Sequence, residues 1–171
     1  MSDGAAVDAS PLLYLGRVGR IDLLQVLDPP IVVPRQVLDE LRAGDPPEPA
    51  VRFIEEADWF EVVPVPTVAA PIRSWELGAG EASVLTWVHG HPGAVAVLDD
   101  LEARRCAASI GVSYVGTLAV AIGGKRQGRL ETVAPLIEEL RGHGMYLSDS
   151  IVREILALVS ESLDGSSPES G

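Results

Sequence analysis

Five short apolar runs, separated by stretches with helical spacing, constrain the fold of this chain more than any other feature of its sequence. Strands that alternate with helices predict parallel βαβ units, and therefore an α/β fold. The runs are apolar on both faces, which is typical of parallel strands covered on each side. They lie at residues 4–8, 31–34, 60–65, 94–100 and 112–115.

Helical spacing of apolar residues fills the gaps between these runs. Ser10 is the expected N-cap of the first helix, because Pro11 follows it at a first-turn position. In the final helix, Ile151, Ile155 and Leu158 are in register. Helices after the first are predicted at residues 34–41, 80–91, 100–111 and 148–161.

The length and composition of the chain indicate one domain. A chain of 171 residues with 47% hydrophobic composition can form one compact core. We expect this domain to span residues 1–162, followed by a polar, disordered tail at residues 163–171. Residues 43–49 are expected to form a loop within the domain, because the pieces on either side are too small to fold alone.

The sequence gives no indication of export or of insertion into a membrane. No apolar run approaches the roughly 20 residues that a membrane helix needs. The N-terminus lacks a basic region followed by a long apolar one. The single cysteine, Cys106, excludes an internal disulfide and indicates a reducing compartment. We therefore expect a cytoplasmic protein with no membrane partner, in which Cys106 is part of the core.

The charge of the chain is strongly negative but unevenly distributed. A formal net charge of −12 argues against loose, charge-driven binding to nucleic acid or to an anionic membrane. Residues 103–130, however, contain no acidic side chain. If the chain binds a polyanion, we expect it to bind at this stretch. Its basic residues are Arg104, Arg105, Lys125, Arg126 and Arg129.

Acidic residues occur where parallel strands deliver side chains to one edge of the sheet. Asp8 closes the first apolar run, and Asp99 and Asp100 close the fourth. Glu40 lies in the helix after the second run, and Glu81 opens a helix after a glycine-flanked turn. Ligands of open parallel sheets bind beyond the carboxyl ends of the strands. The sequence therefore predicts a group of four or five carboxylates at this edge.

Carboxylates gathered in this way favour one class of ligand. Without a counter-charge they repel one another, and each is driven towards its neutral form. A hard divalent cation such as Mg²⁺ or Mn²⁺ prefers oxygen ligands and stabilises the ionised form. Such an ion polarises a phosphoryl oxygen and lowers the pKa of a coordinated water. This is the chemistry of phosphodiester hydrolysis.

In this order and spacing, the residues resemble those of PIN-domain proteins, and most closely the toxins of bacterial and archaeal toxin–antitoxin pairs. The resemblance covers residues 5–161 and rests on the stretches VDASPLLYLG, IVVPRQVLDEL, LGAGEASVL and VAVLDDLEARR. It implies a three-layer α/β/α sandwich with a short parallel sheet. It also implies a Mg²⁺- or Mn²⁺-dependent ribonuclease, with RNA as substrate and an antitoxin protein as partner. Because PIN domains often dimerise, it allows a homodimer through the first and last helices.

The resemblance also assigns roles to the acidic residues. By position, Asp8, Glu40, Glu81 and Asp99 match the catalytic acids of the family. Metal binding is assigned to Asp8, Glu81, Asp99 and Asp100, and the resemblance leaves open which of the last two contacts the ion. Asp100 is either a ligand or the N-cap of the following helix.

Three further side chains are expected to contact substrate. Ser10 matches the small hydroxyl two residues after the first acid of the family. Arg104 and Arg105 follow the acids immediately and are expected to contact phosphate. Glu102 is expected to face solvent or to pair with a nearby arginine. Thr117 is interpreted as an N-cap, with support of the acids as the alternative.

Two other functions compete with the nuclease. A PIN fold without catalysis, acting as an interaction module for protein or nucleic acid, fits the net charge of −12. A phosphoacceptor receiver domain also carries paired acids, but near its N-terminus, with a later aspartate and lysine. Here only Asp149 and Asp164 follow Asp100. His89 and His91 are expected to lie in a loop rather than at a zinc site, because neither a cysteine nor a third histidine stands nearby.

Overall fold

The computed structural model describes residues 3–162 and contains a parallel sheet of five strands. The strands lie in the order β3-β2-β1-β4-β5, and each neighbouring pair is parallel. Each strand lies within one of the predicted apolar runs, which confirms the α/β fold with a short parallel sheet. The strands are β1 (Ala5–Val7), β2 (Ile31–Pro34), β3 (Phe60–Val63), β4 (Val95–Val97) and β5 (Ser113–Val115).

Helices connect the strands and cover the sheet. Every residue of β1, β2 and β4 is buried. Because successive side chains of a strand point to opposite faces, the centre of the sheet is covered on both sides. A 3-10 helix at Ile21–Val26 precedes β2. The α-helices are α1 (Ala9–Arg17), α2 (Arg35–Arg42), α3 (Ala50–Glu56), α4 (Ala70–Arg73), α5 (Ala79–His89), α6 (Leu101–Ser109), α7 (Thr117–Arg126), α8 (Ala134–Gly142) and α9 (Asp149–Leu158).

The prediction that Ser10 caps the first helix is wrong. Helix α1 begins at Ala9, so the N-cap position falls on Asp8, which has an extended backbone (φ −79°, ψ 169°). The reason is that β1 continues to Val7 and the chain turns into the helix directly afterwards. The carboxylate of Asp8 makes no capping hydrogen bond to the helix that follows.

The apolar residues in register on the final helix are not the ones that face the core. Val152 and Leu156 are the buried residues of α9, whereas Ile151 and Leu158 are 45% and 61% exposed. Both sets of residues have helical spacing, and the packing of α9 against α7 selects the set that lies one residue further along. Apolar periodicity alone does not distinguish between them.

Pairing of the central strands brings the first and fourth apolar runs together. Val7 lies opposite Val97, and the N–H of Asp8 donates to the Val97 carbonyl at 3.1 Å. The N–H of Leu98, the residue after β4, donates to the Val115 carbonyl at 2.8 Å. The residues that follow these strands therefore leave the sheet at one edge.

Other predictions concern the ends of the chain and its surroundings. The predicted tail at residues 163–171 lies outside the described residues. No helix within residues 3–162 has the length and apolar character needed to cross a bilayer. Cys106 is buried in the core with a free thiol, as expected, and burial raises its pKa.

Candidate metal centre

Asp8 is the most deeply buried acid at the carboxyl edge of the sheet, with only 4% of its surface exposed. Burial raises the pKa of Asp8 from 3.8 to about 7, and the N–H of Ala9 opposes this shift. The nearby carboxylates of Glu81, Glu40 and Asp99 raise it further. Asp8 has no ion pair with any residue between 3 and 162. We call these four residues the acidic cluster.

Two members of the acidic cluster are positioned by the glycine-rich start of α5. The N–H of Gly80 donates to Glu40 Oε1 at 2.8 Å, and the N–H of Gly78 donates to Glu81 Oε2 at 3.1 Å. A Cβ atom at Gly80 would lie 2.7 Å from Glu40 Oε1, so a larger residue there would displace this carboxylate. Burial raises the pKa of Glu81, and the charges of Asp100 and Glu40 add to the shift.

Asp99 is held by the first residue of α7. Its Oδ1 accepts the N–H of Thr117 at 2.9 Å, and its Oδ2 accepts the Thr117 hydroxyl at 2.6 Å. Thr117 is fully buried, and Gly116 occupies the N-cap position of α7. The interpretation of Thr117 as an N-cap is therefore wrong, and the alternative that it supports an acid is confirmed.

Asp100 is the N-cap of α6. Its Oδ2 accepts the N–H of Ala103 at 2.9 Å, as expected for one of its two predicted roles. Its charge raises the pKa of Glu81, so it also lies near the acidic cluster. Asp100 is exposed, and capping uses only one of its two carboxylate oxygens. Metal binding by Asp100 stays a prediction.

The predicted substrate residues differ in their surroundings. Ser10 is half-buried in the first turn of α1, two residues after Asp8. Arg104 approaches the acidic cluster, with Nη2 at 3.6 Å from Asp99 Oδ1. Arg105 instead forms an exposed ion pair with Glu102 at 2.5 Å, one of the two arrangements expected for Glu102. Contact of Ser10, Arg104 and Arg105 with RNA stays a prediction.

The acidic cluster fits a hard divalent cation by the chemistry of its donors. All of its side chains offer carboxylate oxygens, and Asp8 combines deep burial with a raised pKa and no cationic neighbour. Within residues 3–162, however, no three His, Cys, Asp or Glu side chains form a ready-made metal site. Holding an ion would therefore require these carboxylates to move towards one another.

The prediction that both histidines of the HGH stretch lie in a loop holds for His91 only. His89 ends α5. The ring of His91 stacks on Trp87 with centroids 4.0 Å apart, and its Nδ1 lies 2.6 Å from the Trp87 carbonyl oxygen. Both histidines are exposed.

Comparison with known proteins supports the resemblance noted in the sequence. The family model of DUF3368, described as a PIN domain, matches residues 5–161. This range includes the whole sheet and every member of the acidic cluster. No curated protein is similar enough in sequence to count as a match.

Proposed function

The chain belongs to the PIN-domain family, whose members are generally nucleases, and from this premise we propose that it is a Mg²⁺- or Mn²⁺-dependent endoribonuclease. We further propose that it acts in the cytoplasm as the toxin of a toxin–antitoxin pair, with an antitoxin protein as its partner. The alternative within the same family is a PIN fold that binds without catalysis.

One observation carries the nuclease proposal. Asp8 is buried near three other carboxylates, and no residue between 3 and 162 provides a cation for it. Burying a carboxylate without a partner is unfavourable, so such an arrangement is retained where a bound cation compensates it. The carboxyl edge of a parallel sheet is also where substrates of α/β proteins bind.

In the proposed mechanism, Asp8, Glu81 and Asp99 would hold the ion, with Glu40 directly or through a water. When bound, a divalent ion supplies Lewis acidity towards a phosphoryl oxygen and lowers the pKa of a coordinated water.

The supporting residues of the chain orient the carboxylates. Thr117 fixes both oxygens of Asp99, and the N–H of Gly80 fixes one oxygen of Glu40. Burial of Asp8 keeps bulk water from one side of the acidic cluster and strengthens the electrostatic interactions there. The half-exposed guanidinium of Arg104 can meet a phosphate at the open side.

The deciding experiment measures cleavage of a mixed RNA pool in Mn²⁺ by wild type and Asp8→Asn, purified in parallel. We expect Asp8→Asn to lose at least about 100-fold in rate, because even residues that only orient metal ligands contribute about 10- to 100-fold. A chelator should abolish wild-type cleavage. Glu56→Gln, an exposed acid on α3, is the matched control and should cleave like wild type.

The outcomes separate the two candidates. Equal cleavage by wild type and Asp8→Asn would show that the acidic cluster is not the active site. Cleavage by neither would favour the interaction module, which fits the net charge of −12. Calorimetry with Mn²⁺ tests that second candidate, which predicts either no saturable site or one that Asp99→Asn leaves unchanged. A neighbouring reading frame for a small DNA-binding protein would support the toxin role.

A further inference from the structure

Tyr114 is an aromatic residue exposed beside the acidic cluster. It lies in the middle of β5, the last strand at one edge of the sheet, and 39% of its surface is exposed. Large aromatic side chains are usually buried, so this exposure leaves a flat apolar surface available to a ligand. Neighbouring residues of the strand are also exposed or half-buried.

Arg104 connects Tyr114 to the acidic cluster. Its guanidinium carbon lies 5.8 Å from the centre of the Tyr114 ring, over one face. The same guanidinium is anchored by a 2.9 Å hydrogen bond from Nε to the Leu98 carbonyl, and its Nη2 lies 3.6 Å from Asp99 Oδ1. These contacts leave its Nη1 without a hydrogen-bond partner among the described residues. One group therefore faces both a candidate metal ligand and an exposed ring.

The position of Arg104 depends on a glycine. A Cβ atom at Gly116 would lie 2.1 Å from Arg104 Nη2 and 3.0 Å from Asp99 Oδ1. The backbone before α7 is therefore shaped to admit the guanidinium at this point. Arg104 and Tyr114 also lie in the one long stretch of the chain, residues 103–130, that has no acidic residue. Arg104 therefore supplies a positive charge next to the acidic cluster, on a protein of net charge −12.

We propose that Tyr114 and Arg104 form a binding site for one nucleotide of single-stranded RNA beside the acidic cluster. An unpaired base stacks on the exposed part of the Tyr114 ring, and the free edge of the Arg104 guanidinium binds the adjoining phosphate. This inference rests on the proposed ribonuclease function. It adds that the substrate is unpaired at this position, because a base within a duplex cannot reach the ring.

The test measures binding of a short, labelled single-stranded RNA by fluorescence anisotropy. All proteins carry Asp8→Asn, which is expected to prevent cleavage. Tyr114→Ala should weaken binding about ten-fold, equivalent to about 1.4 kcal/mol and within the range for base stacking on an aromatic ring. Tyr114→Phe keeps the ring and should stay within about two-fold of its parent. Tyr146→Ala, which removes a tyrosine that is 90% exposed elsewhere, is the matched control and should not change binding.

Three results would overturn the proposal. They are unchanged binding by Tyr114→Ala, an equal loss with Tyr114→Phe, and equally tight binding of a duplex with the same sequence. Failure of the parent protein to bind single-stranded RNA would overturn it as well. Tyr114→Trp keeps a stacking surface and should bind at least as tightly as its parent, which guards against a folding defect in Tyr114→Ala.

Cleavage assays on proteins with Asp8 intact separate this proposal from the nuclease. Binding that depends on Tyr114, without cleavage by wild type, would support the stacking site and contradict the nuclease. Cleavage whose KM and kcat are unchanged by Tyr114→Ala would support the nuclease and contradict the stacking site. If both proposals hold, Tyr114→Ala should raise KM more than it lowers kcat.

Discussion

Two carboxylates in this protein have pKa values shifted in opposite directions. At Asp8, burial raises the pKa to about 7, and three neighbouring acids reinforce the shift. At Glu161, burial acts in the same direction, but Lys125 and the N–H groups of Val133 and Ala134 outweigh it and lower the pKa. Among residues 3–162, Glu161 therefore has a cationic partner and Asp8 does not.

The charge of Glu161 is stabilised by contacts within the chain. Its Oε2 accepts from Lys125 Nζ at 2.7 Å, and its oxygens accept the N–H of Val133 at 2.8 and 2.9 Å. These bonds attach the segment after α9 to the start of α8. Lys125 is the only lysine in the sequence, and it is used here rather than beside Asp8. Glu161 is thus paired internally, whereas Asp8, the proposed metal ligand, has no cationic partner among the described residues.

Among these carboxylates, removing the charge of Asp8 should change the free energy of unfolding most. A pKa raised in the folded state favours folding fully below about pH 3.8, and this contribution is lost as the pH rises through about 7. Without metal, Asp8→Asn should therefore be more stable than wild type at about pH 8, by as much as about 4 kcal/mol. The gain should almost vanish at about pH 4. Urea unfolding at both pH values measures it, and an equal gain at the two values would contradict the interpretation.

Adding Mn²⁺ should reduce the difference in stability between Asp8→Asn and wild type. At about 100 times its dissociation constant, Mn²⁺ should stabilise wild type by about 2.7 kcal/mol, because only the folded state holds the carboxylates together. Asp8→Asn should gain little. Glu161→Gln should gain as much as wild type, since Glu161 is not part of the acidic cluster. Thermal unfolding with and without Mn²⁺ measures these gains, and equal stabilisation of all three proteins would indicate binding elsewhere.

Glu161→Gln should lower the free energy of unfolding, whereas Asp8→Asn should raise it. It removes the charge that accepts from Lys125 and two N–H groups, so we expect a loss of about 1–3 kcal/mol at neutral pH. A lowered pKa favours folding above about 4.5, and this contribution is lost as the pH falls through the lowered value. Urea unfolding should thus show the difference between Glu161→Gln and wild type shrinking in acid. Stabilisation by Glu161→Gln at neutral pH would remove the contrast with Asp8.

The smallest effect should come from a carboxylate that is paired but exposed. Glu102 lies 2.5 Å from Arg105, and both side chains are more than half exposed. Solvent screens such pairs, so Glu102→Gln should change the free energy of unfolding by less than about 0.5 kcal/mol. Urea unfolding at neutral pH provides the measurement. A loss of stability as large as that of Glu161→Gln would contradict this expectation. It would show that the stabilisation by an ion pair depends on the proximity of its charges rather than on their burial.

Much of the fold could be predicted from the sequence because its signals are local. Each strand is a short apolar run between breaks, and parallel pairing follows from their alternation with helices. Helices α3, α4 and α8 were not predicted, since each is short or begins beside a proline. The buried face of α9 depends on contacts with α7 that apolar periodicity does not contain.

The acids of the site could be predicted from their places at strand and helix ends, but their environments could not. Thr117 binds both oxygens of Asp99, and this contact joins residues that are 18 positions apart in the sequence. The need for glycine at position 80 arises from Glu40, a residue 40 positions earlier. The only local signal was the glycine-rich stretch LGAGE, which predicts a turn but does not identify its partner.

The order of strands in the sheet also determines when the acidic cluster can assemble. β1 is made first but lies at the centre, and Ala5 pairs with Val95, about 90 residues later. Pairing between such distant segments has a high loop-closure entropy and follows the local contacts. A chain still being translated therefore cannot place Asp8 beside Asp99 until β4 has been synthesised. Any activity of the acidic cluster therefore requires a chain that extends beyond β4, and premature termination before β4 leaves a fragment without it.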